Sequence, residues 1–292
     1  MTMLRALNSI AKHTPLARPL IFAKSFVAKP KSQNAEVEVL ARLLARYDVP
    51  RRFVEFGFSG WEFNCAGLIK DWQGLLIDGD SYNVTIARTI LSKRIQSYHC
   101  WITLENIQIV REYASHGAIG VLSIDVDGND YWFLEALIDL KPAIIISEYN
   151  SSFGLVPVTV PYDPAFDRRE KHPSGTYYGA SLSALTHLAQ TNGYSLIEVE
   201  QSGVNAFFLR SDLLAPADIP LKPEQAFRAK QFSDGSTSND KWARICHLPF
   251  IDVVTGSASL PSGLEMPVLD GPTDEPGDVQ GTGRAVEGRP TR

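Results

Sequence analysis

Between residues 34 and 255 the chain alternates short apolar runs with amphipathic stretches. The first amphipathic stretch carries Leu40, Leu43, Leu44 and Tyr47 at i, i+3, i+4 and i+7, the spacing of one helical face, with Asn34 placed to cap it. Strands are expected over 53–57, 75–78, 97–103, 120–125 and 143–148, with helices over 60–71, 82–93, 106–116 and 131–140 between them. Apolar strands separated by helices predict βαβ units. The expected fold is therefore α/β, a doubly wound, mostly parallel Rossmann-like sheet covered on both faces. A loop rich in proline and aromatic residues follows residue 148 and runs to about residue 178. Its length and its residues Phe153, Tyr162, Phe166, Tyr177 and Tyr178 fit either an acceptor lid or an anchor to the sheet. A helix over 181–191 precedes strands over 194–200 and 204–210, which flank the turn Gln201, Ser202, Gly203 and predict an antiparallel hairpin at a sheet edge.

Composition narrows the class. The 292 residues are 44% hydrophobic and 21% charged, which excludes a disordered, collagen-like or coiled-coil chain, and the net charge of −5 opposes nucleic-acid binding. Cys65, Cys100 and Cys246 are odd in number and far apart. They support neither a disulfide framework nor a cysteine-rich zinc site, and fit a reducing, cytoplasmic setting. No apolar run approaches the roughly 18–20 residues of an integral membrane segment. The ends differ from the middle. Residues 1–33 hold six basic side chains (Arg5, Lys12, Arg18, Lys24, Lys29, Lys31) and no acidic one, and read as a basic, poorly ordered arm; in a eukaryote, organelle import is the alternative. Residues 256–292 contain seven Gly and five Pro without apolar periodicity and read as a disordered tail, leaving 34–255 as the single folded domain.

In an open parallel sheet, ligands bind beyond the carboxyl ends of the strands, so the chemistry is sought there. The first strand ends Glu55-Phe56-Gly57-Phe58-Ser59-Gly60, where an acid would repel pyrophosphate and suits a cationic or hydroxyl-rich ligand. The second ends at Asp78, placed to accept both hydroxyls of a ribose, or else a solvated turn residue. Glu105 and Asn106 follow the third strand and could meet a base edge or cap the next helix. The fourth strand carries Asp125, Asp127 and Asp130 within six residues, a density tolerated where a cation, a proton or hydrogen-bond donors compensate. An EF-hand is excluded, because its glycine position holds Asp130 and its bidentate glutamate position holds Ala136. The fifth strand ends at Glu148. The histidines lack zinc-hydrolase spacing, and there is no G-x-S-x-G elbow or Walker A lysine. A nicotinamide oxidoreductase would want G-x-G-x-x-G, which 55–62 does not supply.

The segments VEFGFSG, LLIDGD, SIDVDGNDYWFLEAL, IIISEYN and VNAFFLRSDL together resemble class I S-adenosylmethionine-dependent methyltransferases, and within them the FkbM-like group, over about residues 50–212. The resemblance implies S-adenosyl-L-methionine as cofactor. Glu55 and Gly57, with Ser59 and Gly60 in the same loop, would line its methionine part, and Asp78 would hold the ribose. Asp125 would sit beside the transferable methyl, and Glu105 or Asn106 would neighbour adenine. The implied reaction is O-methylation of a small-molecule or sugar hydroxyl, with Asp127, Asp130, Glu148 and His172 as candidates to take the acceptor's proton. A divalent metal is possible but not favoured, and no metal ligand is assigned. The family's glycine pattern is altered, since Ser59 and Trp61 stand at its second and third glycine positions. That leaves open a second reading, a non-catalytic nucleotide- or partner-binding module on the same fold.

Overall fold

The computed structural model describes residues 17–258. Its centre is a seven-stranded sheet: β1 (Arg52–Phe56), β2 (Gln73–Asp78), β3 (Ile95–His99), β4 (Val121–Ile124), β5 (Ile144–Glu148), β7 (Tyr194–Val199) and β8 (Asn205–Arg210), in the order β3-β2-β1-β4-β5-β8-β7. The first five are mutually parallel, whereas β8 runs antiparallel to β5 and to the edge strand β7. The sheet is thus mostly parallel with an antiparallel edge hairpin, as expected. Alternation puts successive side chains on opposite faces. Val54, Phe56, Leu75, Ile77, Leu122 and Ile124 pack on one side with Phe133, Leu134 and Leu185. Phe53, Leu76, Val121, Ile144 and Ile146 pack on the other with Leu40 and Leu43.

The helices that cover the sheet are α2 (Glu36–Arg46), α3 (Ser81–Ile90), α4 (Gln108–Ser115), α5 (Asp130–Leu137) and α7 (Leu182–Thr191). Two local readings change. Ala35, not Asn34, occupies the position before α2, and Asn34 donates from its backbone and side chain to the buried Glu36. The helix expected over 60–71 is a short 3₁₀ turn, Asn64–Leu68. Before it, Ser59 and Glu62 exchange backbone hydrogen bonds across a tight turn, and Phe58 and Phe63 bury edge-to-face across that turn.

The aromatic loop is anchored rather than free. Its Phe153, Phe166, Tyr177 and Tyr178 join Trp242, Ile245 and Phe250 in a separate buried cluster, and its strand β6 (Val158–Thr159) pairs with β9 (Ile251–Asp252). Beside it lie α6 (Arg168–Lys171), α8 (Pro223–Ala226) and α9 (Ser238–Ile245). The arm read as poorly ordered forms α1 (Ala17–Ser25), held by Ile21 against Ile86 of α3, so its described part is packed on the domain. Residues 1–16 of that arm, and 259–292 of the glycine- and proline-rich tail, lie outside the described residues. Among the described residues no helix is long and apolar enough to cross a membrane.

Candidate active site

Chain order reverses direction across the sheet between β1 and β4, and there the two strand tips abut. Gly57 follows β1 at φ 71°, donates to the Ile77 carbonyl at 3.0 Å, and lies so close to β4 that an added Cβ would stand 1.5 Å from the Asp125 carbonyl oxygen. Only glycine fits this crossing. Around it opens a cavity of about 1290 Å³, whose walls include Glu55, Gly57, Ser59, Asp78, Asp125, Asp127 and Glu148. Drug-sized ligands use roughly 300–1,000 Å³, so this space admits two reactants side by side. Seven of the twelve residues singled out from the sequence therefore meet in one hollow.

Glu55 is fully buried and accepts from the backbone N–H groups of Asn64 at 2.7 Å and Cys65 at 2.8 Å, which fixes the start of the 3₁₀ turn. Burial pushes its carboxyl up to about 7, against those two donors, which pull it down. At the next tip Asp78 accepts from the Asp80 N–H at 2.7 Å and the Asn83 side chain at 3.2 Å, and burial again raises its carboxyl. Asn83 also accepts from the Gly60 N–H at 3.1 Å, so one side chain ties the two loops together. Gly60 does not reach the cavity; a Cβ there would meet Ile86 at 2.6 Å, and its smallness serves the packing of α3. Neither Phe58 nor Trp61 plugs the hollow, because the Phe58 ring is buried on Phe63 and Trp61 packs beside Ile21 and Ile86.

The cavity's other half is a cluster of carboxylates. Oxygens of Asp125, Asp127 and Glu148 lie within 4.8 Å of one another. Glu148 is 5% exposed; Oε1 accepts from the Tyr178 hydroxyl at 3.3 Å, and Oε2 has no partner. Burial, reinforced by Asp127 and Asp130, pushes Glu148 up to about 8, while burial and Glu148 raise Asp125 well above the ordinary range. Asp127 adopts φ 56°, and Arg168 donates to it while lying 5.0 Å over the Tyr178 ring. A hard divalent cation could bridge three such oxygens. Arg168 already supplies positive charge there, and Lys230 on the same wall also favours the ionised form of Glu148.

The remaining candidates stand elsewhere. Asp130 is wholly buried and accepts from the N–H groups of Val126 at 2.9 Å and Gly128 at 3.0 Å, so it holds the loop that presents Asp125 and faces no substrate space. His172 lies outside the cavity wall, against Ser174 and His247. Glu105 is exposed and accepts from the Tyr162 hydroxyl, while Asn106 caps the Thr103 N–H and donates to the Trp101 carbonyl. Asn106 thereby shapes the turn that carries Trp101, a residue the sequence reading passed over. The Trp101 ring lies on Gly79, donates its N–H to the Pro164 carbonyl at 2.8 Å, and leaves 57% of its surface exposed on the cavity wall. Asn83, Arg168 and Lys230 were missed likewise. Only the tertiary fold brings these side chains to the crevice.

No protein-family profile and no curated protein matches the sequence. Among solved structures the chain is similar to the N-terminal domain of EvdMO1 in the presence of SAH and D-fucose, with 12% identity, TM-score 0.40, and 66% of this chain and 94% of that one covered. It is similar to the Burkholderia thailandensis 1,6-didemethyltoxoflavin-N1-methyltransferase, with 10% identity, TM-score 0.38, and coverage of 60% and 74%. A third is a SAM-dependent methyltransferase from Thiobacillus denitrificans, with 14% identity, TM-score 0.34, and coverage of 57% and 66%.

Proposed function

We propose that the protein transfers a methyl group from S-adenosyl-L-methionine to a hydroxyl of a small molecule or sugar. The observation that carries this reading is the convergence of Glu55, Asp78, Asp125 and Glu148 on one cavity at the strand-order switch point, a crevice whose excess of carboxylates favours a cationic ligand. Asp78, held by Asn83 and the Asp80 N–H, presents its carboxylate to a ribose diol. Trp101 offers an exposed ring face for an adenine to stack on. Asp125 would meet the methionine end beyond Gly57, while Glu55, bound to the Asn64 and Cys65 N–H groups, holds the turn beside it.

Bound there, the cofactor supplies a methyl group already activated on a cationic sulfur. The protein's work is alignment, water exclusion and management of one proton. Asp125 places its carboxyl beside the sulfonium, whose positive charge favours the ionised form against the burial that opposes it. Glu148, on the cavity wall, takes the hydroxyl proton as the oxygen–methyl bond forms and the sulfur–methyl bond breaks. Arg168 and Lys230 keep part of the Glu148 population ionised despite its burial. Phe166, on the same wall, limits the acceptor side.

Radiolabelled S-adenosylmethionine incubated with a panel of sugars and polyols tests this directly. The expected result is label in the acceptor with equimolar S-adenosylhomocysteine. Cofactor bound but never demethylated across the panel would instead leave a binding module on this fold.

A further inference from the structure

Of the eight large hydrophobic side chains exposed among the described residues, four, Leu20, Phe22, Phe26 and Val27, fall within eight consecutive positions of α1 and the turn after it. Within α1, Leu20, Phe22 and Ala23 lie away from the buried Ile21, which packs against Ile86, and the turn after the helix adds the exposed Phe26 and Val27. The Phe22 and Phe26 rings pack edge-to-face at 5.0 Å while 55% and 75% exposed. The helix is held so that this cluster points outward: Lys24 lies 4.7 Å over the Trp61 ring, Lys31 donates its N–H to the Trp61 carbonyl, and Phe63 donates to the Lys31 carbonyl. Single exposed apolar residues are ordinary, but a contiguous patch marks a contact surface.

We infer that this cluster is a docking surface for an anionic phospholipid bilayer, with the phenylalanines entering the interface and Arg18, Lys29 and Lys31 beside them meeting the headgroups. Charge selects the occupant. Residues 1–33 carry six basic side chains and no acidic one, on a chain whose net charge is −5. An exposed apolar cluster flanked by basic residues suits a membrane interface, where each basic group near an anionic leaflet adds attraction. A two-fold contact of the same face with a second copy would set like charges against each other. The surface adjoins the crevice, since Trp61 and Lys31 contact the loop whose Ser59 and Glu62 line the cavity.

The full-length protein is floated with phosphatidylcholine vesicles with and without phosphatidylglycerol, in low and high salt, beside a Phe22→Ser/Phe26→Ser variant. The wild type is expected to float with the anionic vesicles, to be released by salt, and to bind at least about tenfold more strongly than the variant, which loses two aromatic side chains from the interface. Retained S-adenosylmethionine binding in the variant shows that its fold is intact, and failure of that binding in the wild type would strike the methyl-transfer reading instead. The inference is overturned if the wild type ignores anionic vesicles or the variant binds as well. It is equally overturned if the wild type is a dimer that the variant dissolves, or if surface labelling finds Phe22 and Phe26 covered by residues 1–16 in the free monomer.

Discussion

Gly57→Ala is expected to cost about 3–5 kcal/mol of folding stability and to abolish cofactor binding at temperatures where the variant still folds. Two independent penalties combine. The residue sits at φ 71°, where an L side chain is strained, and its Cβ would stand 1.5 Å from the Asp125 carbonyl oxygen, which belongs to backbone and has no rotamer to escape into. Relief requires the β1 and β4 tips to part, which breaks the Asp125 N–H bond to the Phe56 carbonyl and widens the spacing between Glu55 and Asp125. Urea denaturation reads the loss; a midpoint within error of the wild type would show that the tips are not in fixed contact. Gly60→Ala, by contrast, meets only the Ile86 side chain and tests helix packing without touching the crevice wall.

Glu148→Gln is expected to lower kcat by about 10²–10³-fold and to weaken S-adenosylmethionine binding far less, since the amide keeps the hydrogen bond from Tyr178 but takes up no proton and offers the sulfonium no charge. The pH profile follows from the same group. Burial holds Glu148 at about 8, so in the free enzyme the proton-accepting form grows as pH rises and the rate climbs until about pH 8. A cationic sulfonium beside Asp125 and Glu148 favours their ionised forms, so the limb in kcat falls at lower pH than the limb in kcat/KM for the cofactor. Because Asp125 and Glu148 influence each other, the limb belongs to the pair. A flat profile between pH 5 and 9, together with an unimpaired Glu148→Gln, would remove Glu148 from the chemistry.

The parallel core was legible because β1, β2, β4 and β5 are buried on both faces and announce themselves as apolar runs closed by an acid or a glycine. The carboxylates at those tips could be read for the same reason: a strand ending fixes where its last residue goes. Direction beyond the tip could not be read. Asp127, at φ 56°, turns the chain so that Asp130 points back into its own loop, and nothing in D-V-D-G-N-D states which acid faces outward. The 3₁₀ turn was hidden because the Ser59–Glu62 turn before it, which brings Phe58 onto Phe63, uses up residues the expected helix would have needed. Residues 223–252 gave no functional signal, although the capping box of Thr237 and Asp240 marks the start of α9. Its Trp242 and Ile245 anchor the loop that delivers Arg168. Trp101 is misleading in another way, being an exposed aromatic just past a short strand whose value as a wall depends on Gly79 beneath it.

Calorimetric titration of S-adenosylmethionine into the intact protein and into Asp78→Ala tests the central claim most directly. The account predicts one site per chain with micromolar affinity, weakened roughly 30-fold or more when Asp78 no longer receives the ribose hydroxyls. A folded wild-type protein that binds nothing at millimolar cofactor, or an Asp78→Ala variant that binds as tightly as the wild type, would contradict it.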